Sequence, residues 1–525
     1  MPELTIDGRT VSVGSDQTIL QAAKELGIEI PTFCFHDGLS IAANCRICLV
    51  EVEGMHKPVP ACEVRVREGM VVHTNSPVAE AARKGVLEFI LLNHPVDCPI
   101  CDCAGECVLQ DHYHEHSAEP SRINIKKVRK GKTIHVGPHV MLDQERCINC
   151  TRCVRFLKEV TGSEQLTQVQ RGVRTEIALF PETTLDDPYS LCVVDLCPVG
   201  ALTSLDFRFK KRAWWLKYAN SICPDCSRGC NVRVDHCDNT IWRLVPRHND
   251  AVNRWWMCDE GRLGFHRFQS DRVVQCHLRP IAGEEAKVTA DEAVARAGAE
   301  LAEQLDSGGR IAPVISAFAS NEEAYALFTF CLEVLGLSEV YLGIRKGGQG
   351  DKLLRTADRN PNKTGIQMMA RKMGLKVVPL QLVFSASAPP ARAILSLGTE
   401  YELPVPPEGT RLESAVVFAV RQEESALRAT VVFPIPSHFE KSGSYVNCDG
   451  QIQQAQKAVQ RPAEARPVHL LLRQMAGAMG KAISLGQFKE VRKLAAEVLS
   501  RKPKPPPLPA RPTVEPAKPQ GGQDA

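Results

Sequence analysis

The chain has 525 residues, 44% of them hydrophobic, and a formal charge of +3; that is enough apolar material for buried cores in three to four domains of ~100–200 residues each. So small a charge, with no run of five or more basic residues, gives no grip on nucleic acid, no apolar stretch approaches the ~18–20 residues that cross a bilayer, and MPELTIDGRTVSV alternates like a strand and lacks a signal peptide's layout. A cytosolic setting is the expectation, and there 21 cysteines argue for metal or redox chemistry, because reducing conditions disfavour structural disulfides.

Residues 1–75 open with alternating runs at Leu4–Ile6 and Thr10–Val13 around Asp7-Gly8, a hairpin signal. Thr18 to Leu26 follows as a short amphipathic helix closed by Gly27. Next comes Cys34-x10-Cys45-x2-Cys48-x13-Cys62. Residues 76–135 begin with Ser76-Pro77, an N-cap with proline at the first helical position. The helix is predicted to run to about Asn93 and to deliver His94, which heads the series His94, Cys98, Cys101 and Cys107. One imidazole among three thiolates makes that group one unit less negative than four thiolates would.

Residues 136–215 carry Cys147, Cys150, Cys153 and the Cys197-Pro198 pair. In a two-cluster ferredoxin each half reads C-x2-C-x2-C-x3-C-P, and the last cysteine serves the other cluster. Here Leu157, Asp187, Ser190 and Val193 occupy all four slots of the second cluster. One complete site survives. Residues 216–275 hold Cys223, Cys226, Cys230 and Cys258, with alternating runs Asn231–Asp235 and Thr240–Val245 joined by Asp238-Asn239. A small sheet clamping a cluster is expected there.

Fifteen cysteines and one histidine thus form four successive groups of four, each read as the ligand set of one iron–sulfur cluster: one [2Fe–2S] and three [4Fe–4S]. Zinc competes for the fourth group taken alone; beside three others, iron is the better reading. Cys103, Cys192, Cys237, Cys276, Cys331 and Cys448 are left over and read as small buried hydrophobes. His112, His114 and His116 alternate on a polar stretch and read as a solvated segment. With no candidate nucleophile, general base or nucleotide-binding glycine loop, no catalytic residue is assigned. A row of one-electron centres suggests a relay.

From 276 to 470, apolar strands alternate with helices: Ile311–Ile315, Asn321–Leu335, Lys376–Pro379, Ala393–Leu397, Ala415–Ala419 and Thr430–Phe433 predict a doubly wound α/β domain. Residues 471–502 continue a helical segment broken near Gly480. The Pro-, Lys- and Ala-rich stretch 503–525 cannot bury a core and reads as a disordered tail.

The four groups in this order resemble the 75 kDa (G-type) iron–sulfur subunit family of NADH–quinone oxidoreductase, complex I. Asn93-His94-Pro95, Asp143–Arg146, Cys197–Leu202, Ser320–Ala324, Arg392–Gly398 and Glu440–Asn447 add to the likeness. The resemblance implies an α+β and α/β multidomain chain: a β-grasp [2Fe–2S] ferredoxin-like domain (1–75), a small helical [4Fe–4S] domain with one histidine and three cysteine ligands (76–135), a ferredoxin-like [4Fe–4S] domain (136–215), a [4Fe–4S] domain like the start of molybdopterin oxidoreductases (216–275), and a shortened, cofactor-free molybdopterin-oxidoreductase-like domain (276–470).

It also implies a peripheral-arm component of a respiratory translocase on the cytoplasmic face of the inner membrane. Such a component takes electrons from a flavin- and NADH-binding partner and passes them to ferredoxin-like, quinone-proximal partners, meeting the membrane arm indirectly. Family precedent puts the first three clusters on that route and the fourth off it. Glu260 stands where a working molybdenum site wants lysine, so no molybdopterin is expected. The rival reading is the electron-transfer subunit of a soluble NAD-linked hydrogenase or formate dehydrogenase.

Overall fold

The computed structural model describes residues 1–117, 120–122, 124–279, 285–385, 391–406 and 412–500; the tail at 503–525 lies outside them. The chain opens with strands β1 (Glu3–Ile6) and β2 (Arg9–Ser12), and Asp7 and Gly8 both take positive φ in the turn, as a two-residue hairpin requires. Thr18 caps helix α1 (Ile19–Glu25) through a capping box with Gln21. Strands β3 (Leu49–Val52), β4 (Val59–Pro60) and β5 (Met70–His73) complete a sheet of order β2-β1-β5-β3-β4, in which β1 and β5 are parallel. Leu4, Ile6, Ile19, Leu20, Val50 and Val72 form its core.

Helix α2 (Pro77–Leu91) starts at Ser76, whose Oγ accepts from the Ala79 N–H, and helix α3 (Val108–His116) follows Cys107. The His94 N–H still reaches the Ile90 carbonyl at 3.3 Å, so the last turn of α2 aims the imidazole. Next come β6 (Ile134–His135), β7 (Val140–Leu142), α4 (Arg152–Phe156), the β8–β9 hairpin (Leu166–Val169, Glu176–Leu179), α5 (Cys192–Leu196) and β10 (Leu202–Ser204). Strands β11 (Lys217–Ile222), β12 (Asn231–Cys237) and β13 (Thr240–Pro246) form the antiparallel sheet expected between the later cysteines, and helix α6 (Asp259–Leu263) follows Cys258. One apolar core spans this whole stretch and includes Phe156, Val193, Val232, Trp256 and Phe265.

The remaining chain builds an eight-stranded sheet. Its elements are β14 (Cys276–Leu278), β15 (Ala286–Val288), α7 (Ala290–Asp306), β16 (Ile311–Ser316), α8 (Asn321–Phe330), β17 (Glu339–Gly343), α9 (Lys363–Met373), β18 (Lys376–Pro379), β19 (Ala393–Leu397), β20 (Ser414–Ala419), α10 (Glu424–Leu427) and β21 (Val431–Pro434). The order is β15-β14-β21-β20-β19-β16-β17-β18, and β16 to β21 are mutually parallel, with the order in which strands are added across the sheet reversing between β16 and β19. A hairpin, β22 (Gly443–Val446) and β23 (Ile452–Ala455), and helices α11 (Val468–Ala478) and α12 (Phe488–Ser500) complete the chain.

One expectation is modified. Ile311, Ile315, Leu395 and Phe418 face the five long helices α7, α8, α9, α11 and α12 in a single core. Alternate residues Ala312, Val314 and Ile394 meet Leu380, Val383 and Tyr401, which lie outside those helices. Side chains alternate across a strand, so the sheet is buried on both faces while its long helices gather on one.

Candidate iron–sulfur ligand groups

The first group is shaped by a loop between α1 and β3 whose bends place Ala43 and Arg46 in the left-handed region, at φ 47° and 62°. That curvature brings Cys34, Cys45 and Cys48 against Cys62 just beyond β4. The Cys34 N–H lies 3.5 Å from Cys45 Sγ. Thiol-to-thiol hydrogen bonds, Cys34 with Cys45 and Cys62 and Cys48 with Cys62, pull Cys34 and Cys48 toward the thiolate and push Cys45 and Cys62 upward. A chain of paired thiols, Cys45 to Cys34 to Cys62 to Cys48, suits iron, which replaces their protons.

In the second group, a 3-10 turn at 98–100 lets the Cys101 N–H reach the Cys98 carbonyl at 3.1 Å. Burial lowers the His94 pKa to about 4, and its buried Nδ1 has no hydrogen-bond partner among the described residues. A neutral imidazole with an unused nitrogen is what a metal ligand requires. A Cβ at Gly200 would collide with Cys101 Sγ, so only glycine leaves room there.

Asn149 and Thr151, alternating with Cys147, Cys150 and Cys153, both adopt left-handed backbone at φ 54° and 62°. The chain therefore coils so that those cysteines and Cys197 line one cavity. Burial raises Cys147, Cys150 and Cys197 to about 11 and holds Cys153 well above the usual thiol value. In the fourth group burial, then neighbouring negative groups, raises Cys223 and Cys230 well above the usual thiol value. Burial raises Cys258 to about 12, with Cys226 among the groups acting on it. A Cβ on Gly261 would sit 2.8 Å from Cys223 Sγ. These sulfurs are costly to ionise without a cation and strong donors with one. All four groups fit iron–sulfur ligation: fifteen thiols and one orphaned imidazole, on loops cradled by glycine and left-handed turns.

The slots of the missing ferredoxin cluster are filled. Leu157 and Val193 are fully buried in the surrounding core. Ser190 Oγ donates to Asp259 Oδ2 at 2.6 Å, and the Leu191 N–H to Asp259 Oδ1 at 2.9 Å. Ser190, Leu191 and Asp259 join the third and fourth groups.

Two arginines invisible to ligand counting tie the groups together. Arg155 Nη2 donates to the Cys34 carbonyl and, at 3.3 Å, to the Cys150 carbonyl. Arg152 donates to the carbonyls of Phe35 and Leu196. The Val108 N–H meets the Pro198 carbonyl at 3.1 Å, linking the second and third groups. Phe33, Ile47, Cys107 and Val199, with Cys45, Cys147 and Cys197 against them, form one small apolar cluster among the first three.

The leftover cysteines divide. Cys192, Cys276 and Cys331 are buried as expected. Cys448 is exposed, because it lies in the turn between β22 and β23, and Cys237 is only partly covered at the end of the β12–β13 hairpin. Cys103 is polar in its contacts: its thiol hydrogen-bonds Cys107, lowering Cys107 to about 7 while itself moving upward. The closely spaced Cys101-Asp102-Cys103 was the available signal. The histidines are not a solvated run either. The helical turn of α3 leaves His114 exposed but half-buries His112 and His116. Glu260 pairs with Arg359 at 2.8 Å.

Family models match in the order of the groups. Residues 2–77 match a 2Fe-2S iron-sulfur cluster binding domain, 83–122 the NADH-ubiquinone oxidoreductase-G iron-sulfur binding region, and 137–203 the ferredoxin-like domain of NADH-quinone oxidoreductase subunit 3. Residues 216–270 match the Fe4S4 domain of molybdopterin oxidoreductase and 349–478 molybdopterin oxidoreductase. The NADH-ubiquinone oxidoreductase 75 kDa subunit of Reclinomonas americana is 39% identical over 69% of this chain and 53% of its own length. The mitochondrial NADH-ubiquinone oxidoreductase 78 kDa subunit of Neurospora crassa is 44% identical over 52% of this chain and 37% of its own. A solved chain of an NAD+-reducing [NiFe]-hydrogenase is 27% identical and covers 40% of this chain and 90% of its own, at a TM-score of 0.37, too low to bear on the fold. The chain spans about half the length, or less, of the curated relatives it matches.

Proposed function

We propose that this chain, a member of the 75 kDa iron–sulfur subunit family of NADH-quinone oxidoreductase, serves as an electron relay in the peripheral arm of such an enzyme, between a flavin- and NADH-binding partner and ferredoxin-like, quinone-proximal partners, and so supports proton translocation. Bound iron–sulfur clusters supply one-electron chemistry with little change in ligation. The chain's own work is to hold them, exclude water and set their surroundings. Cys34, Cys45, Cys48 and Cys62 hold a [2Fe–2S] cluster. His94 with Cys98, Cys101 and Cys107, Cys147 with Cys150, Cys153 and Cys197, and Cys223 with Cys226, Cys230 and Cys258 hold three [4Fe–4S] clusters. Backbone N–H groups aimed at sulfur, as Asn149 at Cys147 and Gly261 at Cys258, both 3.4 Å, favour the reduced, more negative state.

The observation that carries this reading is the bridging of Cys34 and Cys150 by the single Arg155 guanidinium. Ligand loops distant in sequence are fastened side by side, as a relay needs and as independent zinc staples do not. The fourth group meets the third through the Asp259 joint, and its place beside the main route is what the family resemblance implies. We also assign no molybdopterin to the α/β domain, since Glu260 is engaged by Arg359 in place of a lysine. Assembly on the cytoplasmic face of the inner membrane through other subunits completes the proposal; among the described residues no helix is long and apolar enough to cross a membrane.

Iron and acid-labile sulfide assay with EPR of the dithionite-reduced full chain tests it, the expected result being one [2Fe–2S] and three [4Fe–4S] centres. Zinc in place of iron overturns it. In the assembled enzyme, Cys150→Ala should abolish NADH-driven quinone reduction, and copurifying partners distinguish this assembly from a hydrogenase or formate dehydrogenase.

A further inference from the structure

A side of α3 not used by the four ligand groups carries His112, Glu115 and His116. His112 Nδ1 and His116 Nε2 each lie 3.6 Å from the same oxygen, Glu115 Oε2, and ligand atoms of all three side chains fall within 4.8 Å of one another. A separation of 3.6 Å is too long for a hydrogen bond. It is close to the ~3.4 Å edge of a tetrahedron around an ion whose ligands stand at ~2.0–2.2 Å.

A second observation is independent of that spacing. Both ring nitrogens of His112 are buried without a hydrogen-bond partner among the described residues, a costly state for a polar group unless something else binds it. The Phe33 ring covers His112 edge-on, with centroids 5.2 Å apart. Glu115, whose side chain is 62% exposed against 16% and 22% for the histidines, is the open side through which an ion and its water would enter. Helix α2 presents Glu80 and Arg83 to His116 with opposing effect, and the Arg83 guanidinium is already engaged by the Thr74 carbonyl and Asn75 Oδ1.

We propose that His112, Glu115 and His116 form a further site, for one divalent transition-metal ion, separate from the cluster ligands. Two imidazoles and one carboxylate are a borderline donor set that suits zinc with water in the fourth position. Because His112 and His116 are one turn apart, the ion would pin together the final turn of α3, the helix that follows Cys107, on the side where Phe33 meets His112.

The test is zinc content of the cluster-loaded full chain, equilibrated with chelator-buffered Zn2+ and measured by mass spectrometry alongside iron. One zinc per chain beyond the iron is expected. Its affinity should fall at least ~10-fold in Glu115→Gln and His116→Gln, since even an outer-shell partner of a ligand is worth that much, with iron unchanged; His114→Gln should bind like the parent. Should His116→Gln also lose iron, the exposed Glu115→Gln decides alone. Parent-like zinc binding in Glu115→Gln, or no zinc beyond the iron in the parent chain, overturns the proposal.

Discussion

His438 Nε2 donates a 2.9 Å hydrogen bond to the carbonyl of Ile222, the residue before Cys223, and so joins the α/β domain to the fourth ligand group. Its Nδ1 accepts from the Tyr445 hydroxyl at 3.1 Å. Both nitrogens are used by the neutral ring. Burial, with Lys441 and Arg267 nearby, lowers its pKa to about 3.

A pH dependence follows from that shift. The folded value lies below the ordinary one, so the unfolded chain takes up the proton first as pH falls. The stability contributed by neutral His438 is complete above pH ~6.5 and is lost toward pH 3, at up to ~1.4 kcal/mol per pH unit. Denaturation midpoints between pH 7 and 4.5 should fall less steeply for His438→Gln than for the parent chain. Parallel curves would remove the claim.

Arg155→Ala should loosen the first domain without emptying its ligand group. The carbonyls of Cys34 and Cys150 lose a charged donor, at a cost of about 1–3 kcal/mol. Hydrogen exchange in residues 1–75 should quicken while the [2Fe–2S] EPR signal persists. Unchanged exchange would show that the bridge holds nothing.

Gly200→Ala should empty one group selectively. The added methyl must displace Cys101 Sγ, and the variant should lack about four iron atoms per chain while the EPR signals of the other groups remain. Full iron content would refute the collision.

Asp259→Ala should weaken the joint between the third and fourth groups. Ser190 Oγ and the Leu191 N–H both lose their acceptor in a buried setting, each at about 1–3 kcal/mol. A lower thermal midpoint with loss of protection around 187–196 is the expected readout; a parent-like melting curve would count against it.

Much of this molecule was readable in one dimension because its chemistry is local. A C-x2-C spacing sets two thiols close together along the chain, and Ser76-Pro77, Asp7-Gly8 and the continuously apolar β-strand runs at 311–315 and 393–397 act through near neighbours or through burial at every position. The four proposed groups of cysteines and their order were therefore legible from spacing, and the parallel sheet from the succession of apolar strands and helices. Packing between distant segments decided the rest. Arg155 can serve Cys34 only because folding brings residues 121 positions apart together, Gly200 matters only where Cys101 lies against it, and Leu157 and Val193 meet as core residues only once the fold is assembled. His112 and His116 looked like members of an alternating polar run, and a helix put them on one side. Such partners are chosen by shape and burial across the whole chain, which neighbouring residues do not encode.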